Sequence, residues 1–270
     1  MSTRPRRKTR TSSSDKISQA QSKIRDVSES FEYLKLLAYG QNGKGKTRLG
    51  ASGPRPVLLI DCNENGSLSI RNYDDVQVFP LQVWSDIDLA YWYLHKNNEG
   101  YQTAVIDTTT SLAQLCMKFV LGDEASRDPT RDPEMPDRRA WGKVGELMKT
   151  QILQFRNLPM HTVFLAQERR GFTDDADEDA PDVFPDVSPS IRQTLTAAVD
   201  IIGRMHVKEV VQKTEDKKKR ANIEYRMLIG PSERYLTKDR SEAGLPSVVR
   251  LGNNQDNLDK LVQRIKKGAK

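Results

Sequence analysis

Leu36-Leu37-Ala38-Tyr39-Gly40-Gln41-Asn42-Gly43-Lys44-Gly45-Lys46-Thr47 decides how the rest of the chain is read. A short apolar run enters a glycine-rich turn, and Gly40 to Thr47 fit the phosphate-loop pattern G-x-x-x-x-G-K-[ST]. The glycines let the backbone turn tightly, so that successive N–H groups point inward at phosphate oxygens. The helix that follows directs its positive end at the same anion. Lys46 is expected on the β- and γ-phosphates, and the Thr47 hydroxyl on a magnesium ion.

Such a site needs an acid at the end of another strand to orient the metal. Val105-Ile106-Asp107 supplies one about sixty residues further on, followed by Thr108-Thr109-Thr110-Ser111. Asp107 could instead cap the next helix, but the hydroxyls after it can do that equally well, which leaves Asp107 for Mg²⁺. Hydrolysis also needs a group that orients water. Asp61, Asn63 and Glu64 follow the apolar run Val57-Leu58-Leu59-Ile60, and Gln167 ends the run Thr162-Val163-Phe164-Leu165-Ala166. In a doubly wound sheet both places fall at the carboxyl edge, beside the phosphate loop. Glu64 is the candidate for the water and Gln167 for sensing the γ-phosphate.

Continuous apolar runs suit strands buried on both faces of a parallel sheet. They occur at 34–39, 57–61, 76–79, 104–107 and 162–166. Helical spacing lies between them: Ile87, Ala90, Tyr91, Leu94; Leu112, Leu115, Cys116, Phe119; Val144, Leu147, Met148, Ile152, Phe155. The expectation is an α/β fold with a mainly parallel sheet between helices. Residues 201–207 and 223–229 read as an antiparallel hairpin with its tip at Lys213–Arg220, and Asn257–Lys267 as a short basic amphipathic helix. Trp84, Tyr91 and Trp92 are assigned to the buried side of their segment, and His95, His161 and His206 show no metal-ligand spacing. Two polar stretches, Gly122–Arg139 and Gly171–Pro189, are expected as long loops.

The net charge of +6 resides in a tail: Arg4, Arg6, Arg7, Lys8 and Arg10 give residues 1–10 a charge of +5. Residues 1–30 read as a mostly disordered basic arm, 31–250 as the nucleotide domain and 251–270 as a C-terminal helix and tail. No apolar run approaches the ~20 residues needed to cross a bilayer. With two cysteines, too few for a disulfide framework or a zinc site, a cytoplasmic setting is expected.

The order of these strand ends resembles the RecA-type P-loop ATPase core. It resembles more narrowly the short RecA-like ATPases of bacteriophages linked to single-strand annealing and recombination. The resemblance implies ATP and Mg²⁺ as cofactors, single-stranded DNA and a homo-oligomer (filament or ring) as partners, and an association with a single-strand-binding protein. It places the DNA loop at Glu168–Pro189. Lys238-Asp239-Arg240 resembles a basic segment that reaches a neighbouring subunit's nucleotide, so Lys238 and Arg240 are the trans-subunit candidates. Two departures stand out. The family's catalytic Glu lies two residues after the strand acid, where this chain has Asn63 and places Glu64 one further on. The DNA loop is acidic from Asp174 to Asp186, with Arg169, Arg170, Arg192 and Lys217-Lys218-Lys219-Arg220 as the basic residues able to compensate. Competing readings are a small-molecule kinase with an arginine lid (Arg127, Arg131, Arg138, Arg139) and a non-hydrolysing, nucleotide-dependent assembly switch. If the acidic stretch masks a DNA path, removing it should raise ATP-independent DNA binding; binding unchanged by the deletion would count against a mask.

Overall fold

The computed structural model describes residues 13–24, 32–97, 99–128, 132, 135–171, 181–213, 219–252 and 254–268. The five apolar runs become strands β1 (Lys35–Tyr39), β2 (Val57–Asp61), β3 (Val76–Pro80), β4 (Thr103–Asp107) and β5 (His161–Ala166). They pair in parallel in the order β1-β5-β4-β2-β3. β1, β2, β4 and β5 are buried along nearly their whole length, as expected of strands covered on both faces.

Alternate residues divide between two cores. Leu37, Tyr39, Leu58, Ile60, Ile106 and Phe164 face one way, into α3 (Asp86–Lys96), α4 (Thr109–Arg127), α5 (Arg138–Arg156) and α6 (Pro189–Ala198). Leu36, Ala38, Leu59, Val105, Val163 and Leu165 face the other way. There they meet α2 (Lys46–Gly50) and α7 (Asn257–Gly268), which contributes Leu258, Leu261, Val262 and Ile265. The C-terminal helix is thus packed into the domain's second core. The sheet continues past β1 into the expected hairpin, β8 (Ile201–Lys213) and β9 (Lys219–Leu228). β8 is parallel to β1 and antiparallel to β9, and two short strands, β10 (Lys238–Asp239) and β11 (Val248–Leu251), join this side. The mainly parallel sheet between helices, with an antiparallel hairpin, is therefore the fold read from the sequence.

Several local readings are corrected. Within the arm expected to be disordered, Ser13–Gln21 forms helix α1; residues 1–12 and 25–31 lie outside the described residues. The first polar stretch is partly helical, since α4 runs on to Arg127 and α5 begins at Arg138. Polar side chains on the solvent side of such a helix obscure its length in sequence. In the second stretch β6 (Glu168–Arg170) pairs antiparallel with β7 (Val183–Pro185), while 172–180 lie outside the described residues. A mask deletion should accordingly stop before Val183, which is buried. Trp84 is buried, but Trp92 is exposed on the outer face of α3, because the helix buries Ile87, Ala90 and Leu94 instead.

His161 ties the base of the sheet together: its Nδ1 accepts the Leu34 N–H at 2.9 Å, and its ring meets Tyr33 edge-on. Burial, reinforced by the charges of Lys266 and Lys35, holds its pKa down at about 4. The unfolded chain takes up this proton near pH 6.5, whereas the folded chain resists until about 4. The stabilisation is complete above 6.5 and is lost as pH falls through that window. It amounts to roughly 3 kcal/mol at most. Urea unfolding at pH 7 and pH 4.5 should show this loss in the wild type and a smaller one in His161→Asn.

Candidate nucleotide site

Parallel strands bring their carboxyl ends to one edge, and there the candidate residues meet. Gly40 leaves β1 with its N–H on the Ala166 carbonyl of β5 (3.2 Å). A Cβ at Gly40 would lie 2.6 Å from the Met205 carbonyl oxygen of β8, so no other residue fits without moving that strand. Gly45 has φ of 84°, and a Cβ there would also press to 2.9 Å from the Tyr225 ring on β9. Steric and conformational demands therefore coincide at Gly45. Gln41, Asn42 and Gly43, exposed, and half-buried Lys44 form the bend between them, and Lys46 and Thr47 open α2.

Lys46 is buried, and its ammonium donates to the Gly40 carbonyl (2.9 Å), the Gln41 carbonyl (3.1 Å) and Gln167 Oε1 (2.9 Å). Burial lowers its pKa, against the attraction of Asp107, Glu64 and Glu168. The Thr47 hydroxyl donates to Asp107 Oδ2 at 2.6 Å. Asp107 is 2% exposed, and burial raises its pKa to about 6 although the Thr47 hydrogen bond favours the charged form. A buried carboxylate paired only with a hydroxyl suits a hard cation. Magnesium takes one or two carboxylates and completes its shell with water and substrate phosphates. Asp107 and Thr47 would hold the ion, and the loop N–H groups and Lys46 the phosphates.

Glu64 is placed by its neighbours. Asp61 Oδ1 accepts the backbone N–H groups of Glu64 (2.8 Å) and Asn65 (3.3 Å), drawing the loop over the strand end. Asn63 and Asn65, on either side, adopt left-handed φ of 68° and 52°, a conformation asparagine tolerates better than most residues. This bend brings Glu64 to the hydroxyls of Ser111 (2.5 Å) and Thr108 (2.9 Å), and Gln167 Nε2 donates to it at 3.3 Å. Burial alone would raise its pKa; the bonds from Ser111, Thr108 and Gln167 and the charge of Lys46 outweigh it, so the pKa is lowered. The carboxylate is ionised and able to accept a proton. Thr108 also accepts the Ser111 N–H as the cap of α4, so the Thr-Thr-Thr-Ser run serves both helix and Glu64.

A cleft of about 680 Å³ lies over these groups and extends past Gly45 to Arg48, Leu68, Ser69 and Tyr225. That is within the range of small-molecule sites. The Arg48 guanidinium lies 5.4 Å from the Tyr225 ring centroid, offering a flat face beside the phosphate loop. The short 3₁₀ helix Gly66–Ile70 closes the opposite wall, with Gly66 against Thr47 and Asp107. Tyr225, Arg48 and Gly66 carried no sequence signal, because a lone aromatic or glycine far from the motif shows its role only when the chain folds.

The remaining candidates lie elsewhere. Arg169 and Arg170 are exposed on β6, Arg169 3.8 Å from Asp186. The Arg192 guanidinium covers the Phe184 ring at 3.8 Å. The Lys238 ammonium donates to the Thr196 and Val199 carbonyls and so caps the end of α6. Arg192, Lys238 and Arg240 line one groove of about 490 Å³. β10 pairs with Ile201 and Ile202 at the start of β8, so Lys238 lies at the opposite end of the sheet from the phosphate loop. Lys217 and Lys218 fall outside the described residues; Lys219 and Arg220 lie on β9, their side chains likewise undescribed.

A phosphate loop on the first strand, a strand-end carboxylate beside its threonine and a sheet of this order define a nucleotide-binding P-loop domain of the ATPase type. The chain belongs to the AAA domain family, whose model matches residues 32–241. No curated protein matches it. Among solved structures it is similar to the flagellar accessory protein FlaH from Methanocaldococcus jannaschii. The identity is 7% and the TM-score 0.38, over 80% of this chain and 84% of that one. Gly45→Ala should cost about 1–2 kcal/mol of stability and weaken binding of a fluorescent ATP analogue at least tenfold in titration. Gly43→Ala meets the same backbone strain, with φ of 74°, but with nothing within 4 Å of the added methyl it should disturb binding less.

Proposed function

We propose that the protein is a magnesium-dependent ATPase that binds single-stranded DNA and assists strand annealing or recombination in phage DNA metabolism. It would act as a homo-oligomer in the host cytoplasm, with a single-strand-binding protein as a further partner. One observation supports this reading above the others. Gln167 receives the Lys46 ammonium on its oxygen and donates its amide to Glu64, and the chain runs from it directly into β6, which exposes Arg169 and Arg170. A phosphate competing for Lys46 disturbs Gln167, and with it the strand that carries two cations. Glu168 fixes the start of that strand through a buried ion pair with Arg204 at 3.0 Å.

Phosphoryl transfer in such a site rests on positioning and charge stabilisation. Magnesium, when bound, neutralises charge on the phosphates. Lys46 adds a cation at the phosphate end of the cleft, Thr47 and Asp107 fix the metal's place, and ionised Glu64 takes a proton from the attacking water. Of the proposed kinase lid, Arg127 is engaged with Asp123 at 3.2 Å, and neither it nor Arg138 or Arg139 lines the cleft. Arg131 lies outside the described residues. No helix among the described residues is long and apolar enough to cross a membrane.

ATP turnover measured with and without single-stranded DNA tests the proposal. DNA should stimulate the wild type, and Lys46→Ala should abolish turnover; turnover indifferent to DNA would remove the recombination role. Glu64→Gln should retain ATP binding while single-turnover cleavage falls ~10²-fold or more, the range for loss of a general base. Unchanged cleavage would reassign the base. Tight binding without any cleavage in the wild type would favour the assembly switch.

A further inference from the structure

Among the described residues, two apolar surfaces stand exposed. The first is α1. Its residues Ile17 and Ala20, with Ile24 in the turn that continues it, recur at helical spacing on one face. Ile17 is 59% and Ile24 76% exposed, and every residue from 16 to 24 is exposed. Nine residues are too few for a helix to be stable alone in water, where about 12–15 are marginal. Such a helix needs a surface to pack on. The second is the outer face of α3, where Leu89, Trp92 and Tyr93 fall at i, i+3 and i+4 and are 62%, 56% and 45% exposed. α3 follows β3, the edge strand of the sheet, so no further strand of the main sheet lies beyond it.

We propose that α1 of one copy docks on the α3 face of another, Ile17, Ala20 and Ile24 packing on Leu89, Trp92 and Tyr93. Charge favours the match. Residues 1–10 carry +5 with no acid, while residues 71–99 hold Asp74, Asp75, Asp86, Asp88 and Glu99 against only Arg71 and Lys96, a net of −3. The single chain leaves both surfaces exposed, although the seven residues joining Ile24 to Glu32 can span roughly 25 Å. A second copy therefore fits better than the chain's own arm. The contact is heterologous, arm to face, and propagates into a ring or a filament. It rests on the homo-oligomer proposed above and supplies its fastening, independently of any DNA.

Sedimentation velocity of the full chain over a range of concentrations tests it, using the double variants Ile17→Asp/Ile24→Asp and Leu89→Asp/Trp92→Asp. Both patches are exposed, so ATP binding and the thermal midpoint should match wild type. The wild type should assemble with concentration and each variant alone should stay monomeric. Mixed in equal amounts, the variants should form a 1:1 complex that grows no further, since one retains its face and the other its arm. A peptide of residues 13–26 in excess should dissolve the wild-type assembly. A wild type that stays monomeric, a face variant that assembles normally, or a mixture without a complex overturns the proposal. Monomeric variants that still bind ATP keep its failure distinct from failure of the nucleotide site.

Discussion

The structure depends on β1 being held between two parallel neighbours. Its residues 35–39 pair with 162–166 of β5 on one side, and residues 36–39 with 201–204 of β8 on the other. Its two ends are fixed differently. At the base, the Lys35 ammonium donates to the Leu158 and Met160 carbonyls and the Thr162 hydroxyl, while its N–H reaches Asp200. At the top, Gly40 carries the ladder one bond further onto Ala166. A strand pinned in this way cannot slip, because a shift by one residue would exchange the two cores. The phosphate loop inherits that rigidity.

The same ladder gathers charge where charge is costly. Asp61 and Asp107 are register partners at the ends of β2 and β4, and the Cys62 N–H donates to the Asp107 carbonyl just beyond. Asp107, Glu64 and Glu168 all act on Lys46, so the site sets three carboxylates around one lysine. The strain appears in opposite pKa shifts: Asp107 is pushed up by burial, while Glu64 is pulled down by the hydroxyls and amide around it. A divalent cation held there would relieve this imbalance, since it inverts the electrostatics of its surroundings. Two acids in one cleft thus stand in different surroundings, Asp107 buried against the Thr47 hydroxyl and Glu64 among the Ser111 and Thr108 hydroxyls and the Gln167 amide.

The departure of Glu64 from the usual spacing shows where sequence reading lost its hold. The acid is displaced by one residue along the chain, yet Asp61 and two left-handed asparagines bend the loop so that its carboxylate reaches Ser111 and Gln167. Spacing in sequence does not fix position once φ turns positive. Trp92 shows the converse. Its place in an apolar helical pattern suggested burial, but a helix on one face of a sheet buries a single stripe, and the stripe fell on Ile87, Ala90 and Leu94.

The sequence by itself determined the parallel sheet, the phosphate loop, the acid that ends β4 and the polar groups at the carboxyl edge. Each of these is local: a run of apolar residues, a glycine-rich turn, an acid ending a strand. Only the tertiary structure decided that Tyr225 packs on Gly45, that Gln167 joins Lys46 to Glu64, and that Lys238 is spent on capping α6. Those contacts join residues far apart in the chain, and only the folded register of the strands brings them together.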